Sequence, residues 1–67
     1  MYAIRNKITG QWLYGTDYRE CPPRQRTSNR QALTFETLED AEYEFKKREC
    51  DKHEYEIGKV QLRIVGD

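Results

Sequence analysis

Tyr2, Ile4 and Ile8 fall at even positions among polar neighbours, a period of two that predicts a half-buried strand running into a turn. The stretch from Asn6 to Gly10 supplies the turn: Asn starts turns through its side chain, and Gly10 can adopt the positive φ that closes a hairpin. Gln11 to Tyr14, dense in Trp and Tyr, predicts the return strand, ended or bent by Gly15-Thr16-Asp17. Residues 16–31 show no period and carry Pro22-Pro23, so they read as a long irregular segment, either a solvated connector or a binding loop. Ala32 to Phe35 reads as a short strand.

Beyond it the period changes. Leu38, Ala41 and Phe45 recur at helical spacing, with Thr37 as N-cap and Asp40 three residues on. Glu39, Asp40 and Glu42 lie at the start, and Lys46, Lys47 and Arg48 at the end, as the helix dipole favours. These signals predict a helix over Leu38 to Cys50, its acids forming a solvated surface. Tyr55 and Ile57 then alternate on odd positions and Val60, Leu62 and Ile64 on even ones, which predicts a terminal strand at 60–65 and a bulge at Gly58 that returns both sets to one face. The expected fold is α+β, an antiparallel sheet of three to four strands packed on a single helix in the order β-β-(β)-α-β.

Length makes this one domain, residues 1–67, and a small one: 36% of its 67 residues are apolar and 36% charged, enough for a thin core only. Domains of this size gain stability from a disulfide, a metal or a partner subunit, which makes a homodimer one expectation. No run of about 20 apolar residues could span a bilayer, and no apolar leader precedes Arg5. The expectation is a cytoplasmic protein with no membrane partner, in which Cys21 and Cys50 are free thiols rather than a bridge.

Catalytic chemistry has little to stand on. The single histidine, His53, lies in a polar stretch and reads as exposed. Cys50-x-x-His53 has the spacing of half a zinc site, but a structural zinc wants four ligands and the second pair is missing. No metal, no cofactor and no catalytic residue is expected, and the chain is not read as an enzyme.

Charge changes the picture more than any motif. Residues 1–30 carry six Lys and Arg against two acids, net +4, and residues 31–67 carry six against ten, net −4. The zero net charge therefore hides a dipolar chain whose basic half also holds Trp12, Tyr14 and Tyr18. Basic plus aromatic side chains point to a binding surface, with Arg5, Lys7, Trp12, Tyr14, Arg19, Arg24, Arg26 and Arg30 as its candidate residues. Two placements of Trp12 are open: with Leu13 in the core, Trp12 and Tyr14 share the open face with Arg5, whereas a lone Trp in a small domain is commonly core itself.

The hairpin Gly10-x-Trp12-x-Tyr14, the basic stretch and Phe35-x-Thr37-x-x-x-Ala41 opening a helix resemble the arm-type DNA-binding domains at the N-termini of phage and transposon integrases. The resemblance covers about residues 4–48. It implies a three-stranded sheet on one helix, with the sheet in the DNA major groove and DNA contacts from Arg5, Lys7, Trp12, Tyr14, Arg24, Arg26 and Arg30. The chain departs from those domains in its terminal strand, in having no catalytic domain after the helix, and in its zero net charge. The functional expectation is a non-enzymatic binding module. It reads first as a protein-interaction accessory or inhibitor of phage or mobile-element type; the alternative is a nucleic-acid-binding domain using the hairpin and residues 16–31.

Overall fold

A computed structural model describes residues 1–60. Five strands and one helix follow in the order β1 (Tyr2–Asn6), β2 (Trp12–Asp17), β3 (Arg24–Ser28), β4 (Thr34–Phe35), α1 (Leu38–Lys47) and β5 (Tyr55–Lys59). All pairings are antiparallel. The protein is thus a small α+β domain. Strand β1 is central: β5 pairs with it along its whole length, from Tyr2↔Lys59 to Asn6↔Tyr55. The opposite edge is shared, β2 pairing at Arg5↔Trp12 and β4 at Tyr2↔Phe35 and Ala3↔Thr34. Strand β3 pairs with β2 and is an outer strand of the sheet.

The first turn forms as its residues dictate. The Asn6 side-chain oxygen accepts from the amides of Ile8 and Thr9, and Gly10 sits at φ 75°. Ile8 belongs to this turn and not to the strand face; it is 76% exposed.

The core is built from inward positions of three strands: Ile4, Leu13 and Tyr55, with Phe35, Phe45, Cys50 and Ile57 packed on them. From the helix only Ala41 is buried. Leu38, expected in the apolar stripe, opens the first turn and is 45% exposed. Glu44, Phe45 and the C-cap Arg48 are half-buried, with Glu44 paired to Arg48, while Glu39, Asp40, Glu42 and Glu49 form the exposed acidic surface expected.

Thr37 caps the helix, its hydroxyl accepting from the Asp40 amide at 3.1 Å. The helix ends at Lys47, three residues before the expected Cys50. The reason is local: Glu49 takes the left-handed conformation at φ 53°, its amide donates to the Lys46 carbonyl, and the Cys50 amide donates to the Phe45 carbonyl. That is a Schellman closure with glutamate where glycine is usual. A left-handed non-glycine residue costs about 1–2 kcal/mol, and glycine adds back about 0.4–1 kcal/mol of unfolded-state entropy. Glu49→Gly is therefore expected to raise stability by about 0.5 kcal/mol, read as a higher urea midpoint at unchanged slope; a fall in midpoint would show that the Glu49 side chain matters more than its backbone.

Two expectations about the sheet are corrected. Residues 16–31 are not irregular: β2 continues to Asp17, β3 spans Arg24–Ser28, and Cys21-Pro22, joined by a cis peptide bond, lies in the turn between them. Strand β3, reading RQRTS, has no apolar residue to alternate, because its inward positions are polar. The register of β5 is also unbroken through Gly58, which pairs with Ala3, so there is no bulge at Gly58. The bulge is in β2 instead, where register shifts between Leu13 and Gly15. Of the expected strand at 60–65, residues 61–65 lie outside the described residues. The Val60 amide continues the ladder by donating to the Met1 carbonyl. The expected strand at Ala32 to Phe35 shortens to Thr34–Phe35.

Candidate functional site on the helix-free face

The helix covers one face of the sheet, and strand alternation decides what the other carries. Leu13 points to the core, so Trp12, its neighbour, faces away from the helix. Arg5, opposite Trp12, faces the same way, as does Glu56, opposite Arg5. Trp12 is half-buried there. Its ring reaches across β1 toward β5: a methyl group at Gly58 would sit 3.8 Å from two ring carbons. Ala3, paired with Gly58 and fully buried, lies between them on the same face. Two small residues thus make a flat seat for the indole. Trp12 belongs neither to the core nor to a bare surface.

Arg5 lies over this ring, its guanidinium carbon 5.9 Å from the centroid, and donates to the Glu56 carboxylate. Its charge is already matched by a cross-strand partner. The cluster Trp12–Arg5–Glu56 therefore holds the middle of the open face together more than it offers a free cation.

The hairpin β2–β3 is different. By alternation Arg24 and Arg26 face outward, because Gln25 between them turns inward to the helix. The β2 bulge leaves Tyr14 outside the regular pairing, while Leu13 and Thr16, three residues apart, both face inward. Such a bulge shifts the alternation by one residue, which lets a strand keep its core face while presenting an extra side chain outside. Tyr14, Asp17 and the consecutive β3 residues Arg24, Gln25, Arg26 and Thr27 line a shallow cleft of about 390 Å³.

Asp17 organises the charges around it. Its carboxylate accepts two side-chain bonds from Arg19 at 3.0 Å and one from Arg26 at 3.5 Å. Its side chain is only 12% exposed. The bonds from Arg19, with Arg26 behind them, lower its pKa to about 2, so it stays anionic across the physiological range. Arg24 has no ion-pair partner among the described residues. The face is basic after Asp17 has been counted.

The remaining candidates are spread out. Lys7 is exposed in the β1–β2 turn, away from the hairpin cleft. Arg30 follows β3, its amide donating to the Ser28 hydroxyl, and it borders a second groove of about 300 Å³ beside Trp12. The structure therefore brings together Tyr14, Arg19, Arg24 and Arg26, sets Arg5 with Trp12, and leaves Lys7 apart. No family model, curated protein or solved structure matches the chain.

Sequence reasoning missed the residues that hold this surface in place. Arg48, from the end of the helix, donates to Glu44 at 3.1 Å and to the Thr16 hydroxyl at 3.0 Å. Thr16 donates to the Gln25 side chain at 2.7 Å, and Gln25 returns a bond to the Arg48 carbonyl at 2.6 Å. This closed ring ties β2, β3 and the helix end together. Thr27 adds a bond to Gln11 at 2.9 Å. The one available signal was the pair Thr16 and Gln25 flanking a Pro-Pro turn, and it is weak without the register.

Cys21 is exposed and Cys50 half-buried, both as free thiols. Burial raises the Cys50 pKa to about 11, so the thiol is protonated at neutral pH and a poor nucleophile. His53 is exposed, its amide donating to the Asp51 carboxylate. Among the described residues no group of three or more His, Cys, Asp or Glu is arranged to hold a metal ion, and no helix is long and apolar enough to cross a membrane.

Proposed function

We propose that this chain is a non-enzymatic protein-interaction module, in type a small accessory or inhibitor protein, that engages its partner through the outer side of hairpin β2–β3. The observation that carries this reading is the joint placement of Tyr14, Arg24 and Arg26 outward on a strand pair anchored from behind by the Arg48–Thr16–Gln25 ring. Tyr and Arg are the side chains that most often anchor protein interfaces, since each couples a large contact area to hydrogen bonding. A hairpin held rigid by its own hydrogen bonds loses little entropy on binding.

A second reading is nucleic-acid binding, favoured by Trp12 and Tyr14 lying with Arg5, Arg24 and Arg26 on one helix-free face. Several features weigh against it. The Trp12 ring is seated over Gly58, Arg5 is matched by Glu56, and Asp17 takes up part of the charge of Arg19 and Arg26. Duplex binding draws much of its affinity from cations on phosphates, and of Arg5, Arg24 and Arg26 only Arg24 lacks an acidic partner among the described residues. The resemblance to integrase arm domains belongs to this second reading.

The two readings separate in one experiment. Immobilised protein is offered nuclease-treated lysate, and in parallel labelled duplex and single-stranded DNA at low and high salt, with the wild type and an R24E/R26E variant. The expected result is a discrete protein retained by the wild type and lost at least tenfold in the variant, with DNA held weakly at low salt only. DNA retention that is tight, steeply salt-dependent and abolished in the variant would replace the first reading by the second. Unchanged retention in the variant would remove the hairpin from either.

A further inference from the structure

Strand β3 is paired on one side only. Its five residues meet β2 from Trp12↔Ser28 to Asp17↔Arg24, and among the described residues no strand pairs with its other edge. Alternate residues of an antiparallel strand direct both N–H and C=O away from the neighbour, so β3 presents a row of open backbone donors and acceptors, a template for a further strand. The two faces of that edge differ. On the outer face stand Arg24 and Arg26, two residues apart, beside Tyr14. On the inner face stand Gln25 and Thr27, and a further cleft at this end of the strand is bordered by Arg24 and Gln25 together with Glu49, Asp51 and Glu54.

From this edge we infer that β3 takes up an extended acidic peptide segment of a partner protein as an added strand, with carboxylates at every second position. The inference rests on the protein-interaction reading and specifies its mode. Side chains of an added strand alternate as those of β3 do, so acids spaced two apart fall opposite Arg24 and Arg26, where opposite charges on facing strands attract. The intervening residues turn toward Gln25, Thr27 and the acidic border, which disfavours further acids there. The segment is thus acidic on one face and uncharged or basic on the other. The same arginines select against the commonest rival occupant, a second copy of this chain. Two β3 strands paired antiparallel about Gln25 would set each Arg24 against the other copy's Arg26, and paired about Arg26 would set the two Arg26 residues against each other; like charges directly opposite are destabilising.

Backbone recognition and plain charge attraction make different demands, and a set of peptides distinguishes them. The probe is a blocked ten-residue peptide alternating Glu and Thr. Its controls are a block peptide of five Glu followed by five Thr, and the alternating peptide N-methylated at every second residue, on the edge that would meet β3. Binding is read by anisotropy of a labelled peptide, and the site by amide hydrogen exchange at Arg24–Ser28. The alternating peptide is expected to bind and to slow exchange along β3. Binding should fall at least tenfold for each control peptide, for R24E/R26E, and for the milder R24Q/R26Q, whose fold is checked by circular dichroism. An alternating Lys-Thr peptide is expected to bind R24E/R26E and not the wild type.

If the block or N-methylated peptide binds the wild type as well as the alternating one, the attraction is charge alone and strand addition is wrong. A protein partner retained by the hairpin in lysate would still stand in that case. No binding of the alternating peptide, or unchanged exchange along β3 when it binds, overturns the inference in the same way. A ten-nucleotide oligo-dT that binds the wild type tenfold more tightly than the peptide, and is lost in R24Q/R26Q, overturns both the strand and the protein-interaction reading beneath it.

Discussion

Leu13→Ala is expected to abolish the cooperative fold at 37 °C. Leu13 is fully buried and, with Ile4, is one of the two large side chains the sheet encloses completely. Emptying such a site costs about 2–5 kcal/mol, lost transfer energy plus the cavity left behind. A domain of this size draws only about 3–5 kcal/mol from its core, so the loss takes most of the stability. The contrast is Ile8→Ala. It removes a comparable apolar side chain, but Ile8 is 76% exposed in the first turn, and exposed substitutions stay within about 0.5 kcal/mol. Urea unfolding followed by far-UV circular dichroism measures both. A Leu13→Ala protein whose midpoint matches that of Ile8→Ala would mean that the core lies elsewhere.

The second large effect is expected at Arg48. As an exposed i,i+4 pair with Glu44 it would contribute about 0.3–0.5 kcal/mol. It is not exposed in that way: the Arg48 and Glu44 side chains are 18% and 21% exposed. Arg48 also donates to Thr16, whose hydroxyl holds Gln25, whose amide group returns to the Arg48 carbonyl. Charge-assisted bonds of this kind contribute about 1.5–3 kcal/mol, so Arg48→Ala is expected to cost about 2 kcal/mol. Thr16→Val breaks the same ring from the strand side. The two changes together should cost less than their sum by more than 0.5 kcal/mol, the mark of residues in one network. A loss of only about 0.5 kcal/mol for Arg48→Ala, with no coupling to Thr16, would reduce the ring to a surface ion pair.

The network also bears on binding. Leu13 anchors the start of hairpin β2–β3 in the core, and the hairpin's polar end is linked to the end of the helix through Thr16, Gln25 and Arg48. A change at Arg48 is therefore expected to loosen the surface that carries Arg24 and Arg26 without touching either. Amide exchange along β3 that rises in Arg48→Ala while β1 and β5 stay protected would show this local loosening apart from the global loss.

Much of the architecture was legible in the order of residues. The turn at Asn6–Gly10, the cap at Thr37 and the strand at Tyr55–Ile57 each have a local cause: a side chain bonding its own backbone, a glycine at positive φ, or a short alternation of apolar residues. The α+β class and the single helix over an antiparallel sheet follow from them. Strand β3 was not legible, because a strand whose inward face is Gln and Thr gives no apolar alternation, and hydrogen bonds to residues 9 and 23 positions away leave no local trace. The end of the helix was misplaced for a related reason: nothing in a glutamate announces a left-handed backbone.

The candidate site divides along the same line. Local composition placed Arg5, Lys7, Trp12, Tyr14, Arg19, Arg24, Arg26 and Arg30 in one basic, aromatic half of the chain, since charge and residue type need no fold to be counted. Which of them share a surface was decided by register and packing alone. The pairing Arg5↔Glu56 joins residues 51 apart and matches one cation. The bulge after Leu13 releases Tyr14, and small residues at Ala3 and Gly58 seat Trp12. The edge of β3 exists only because β3 folds against β2 and no described strand pairs with its other side. Short-range preferences act through neighbours in sequence and so are written there; a surface is made of residues that meet only when strands pair, and pairing is a property of the whole chain.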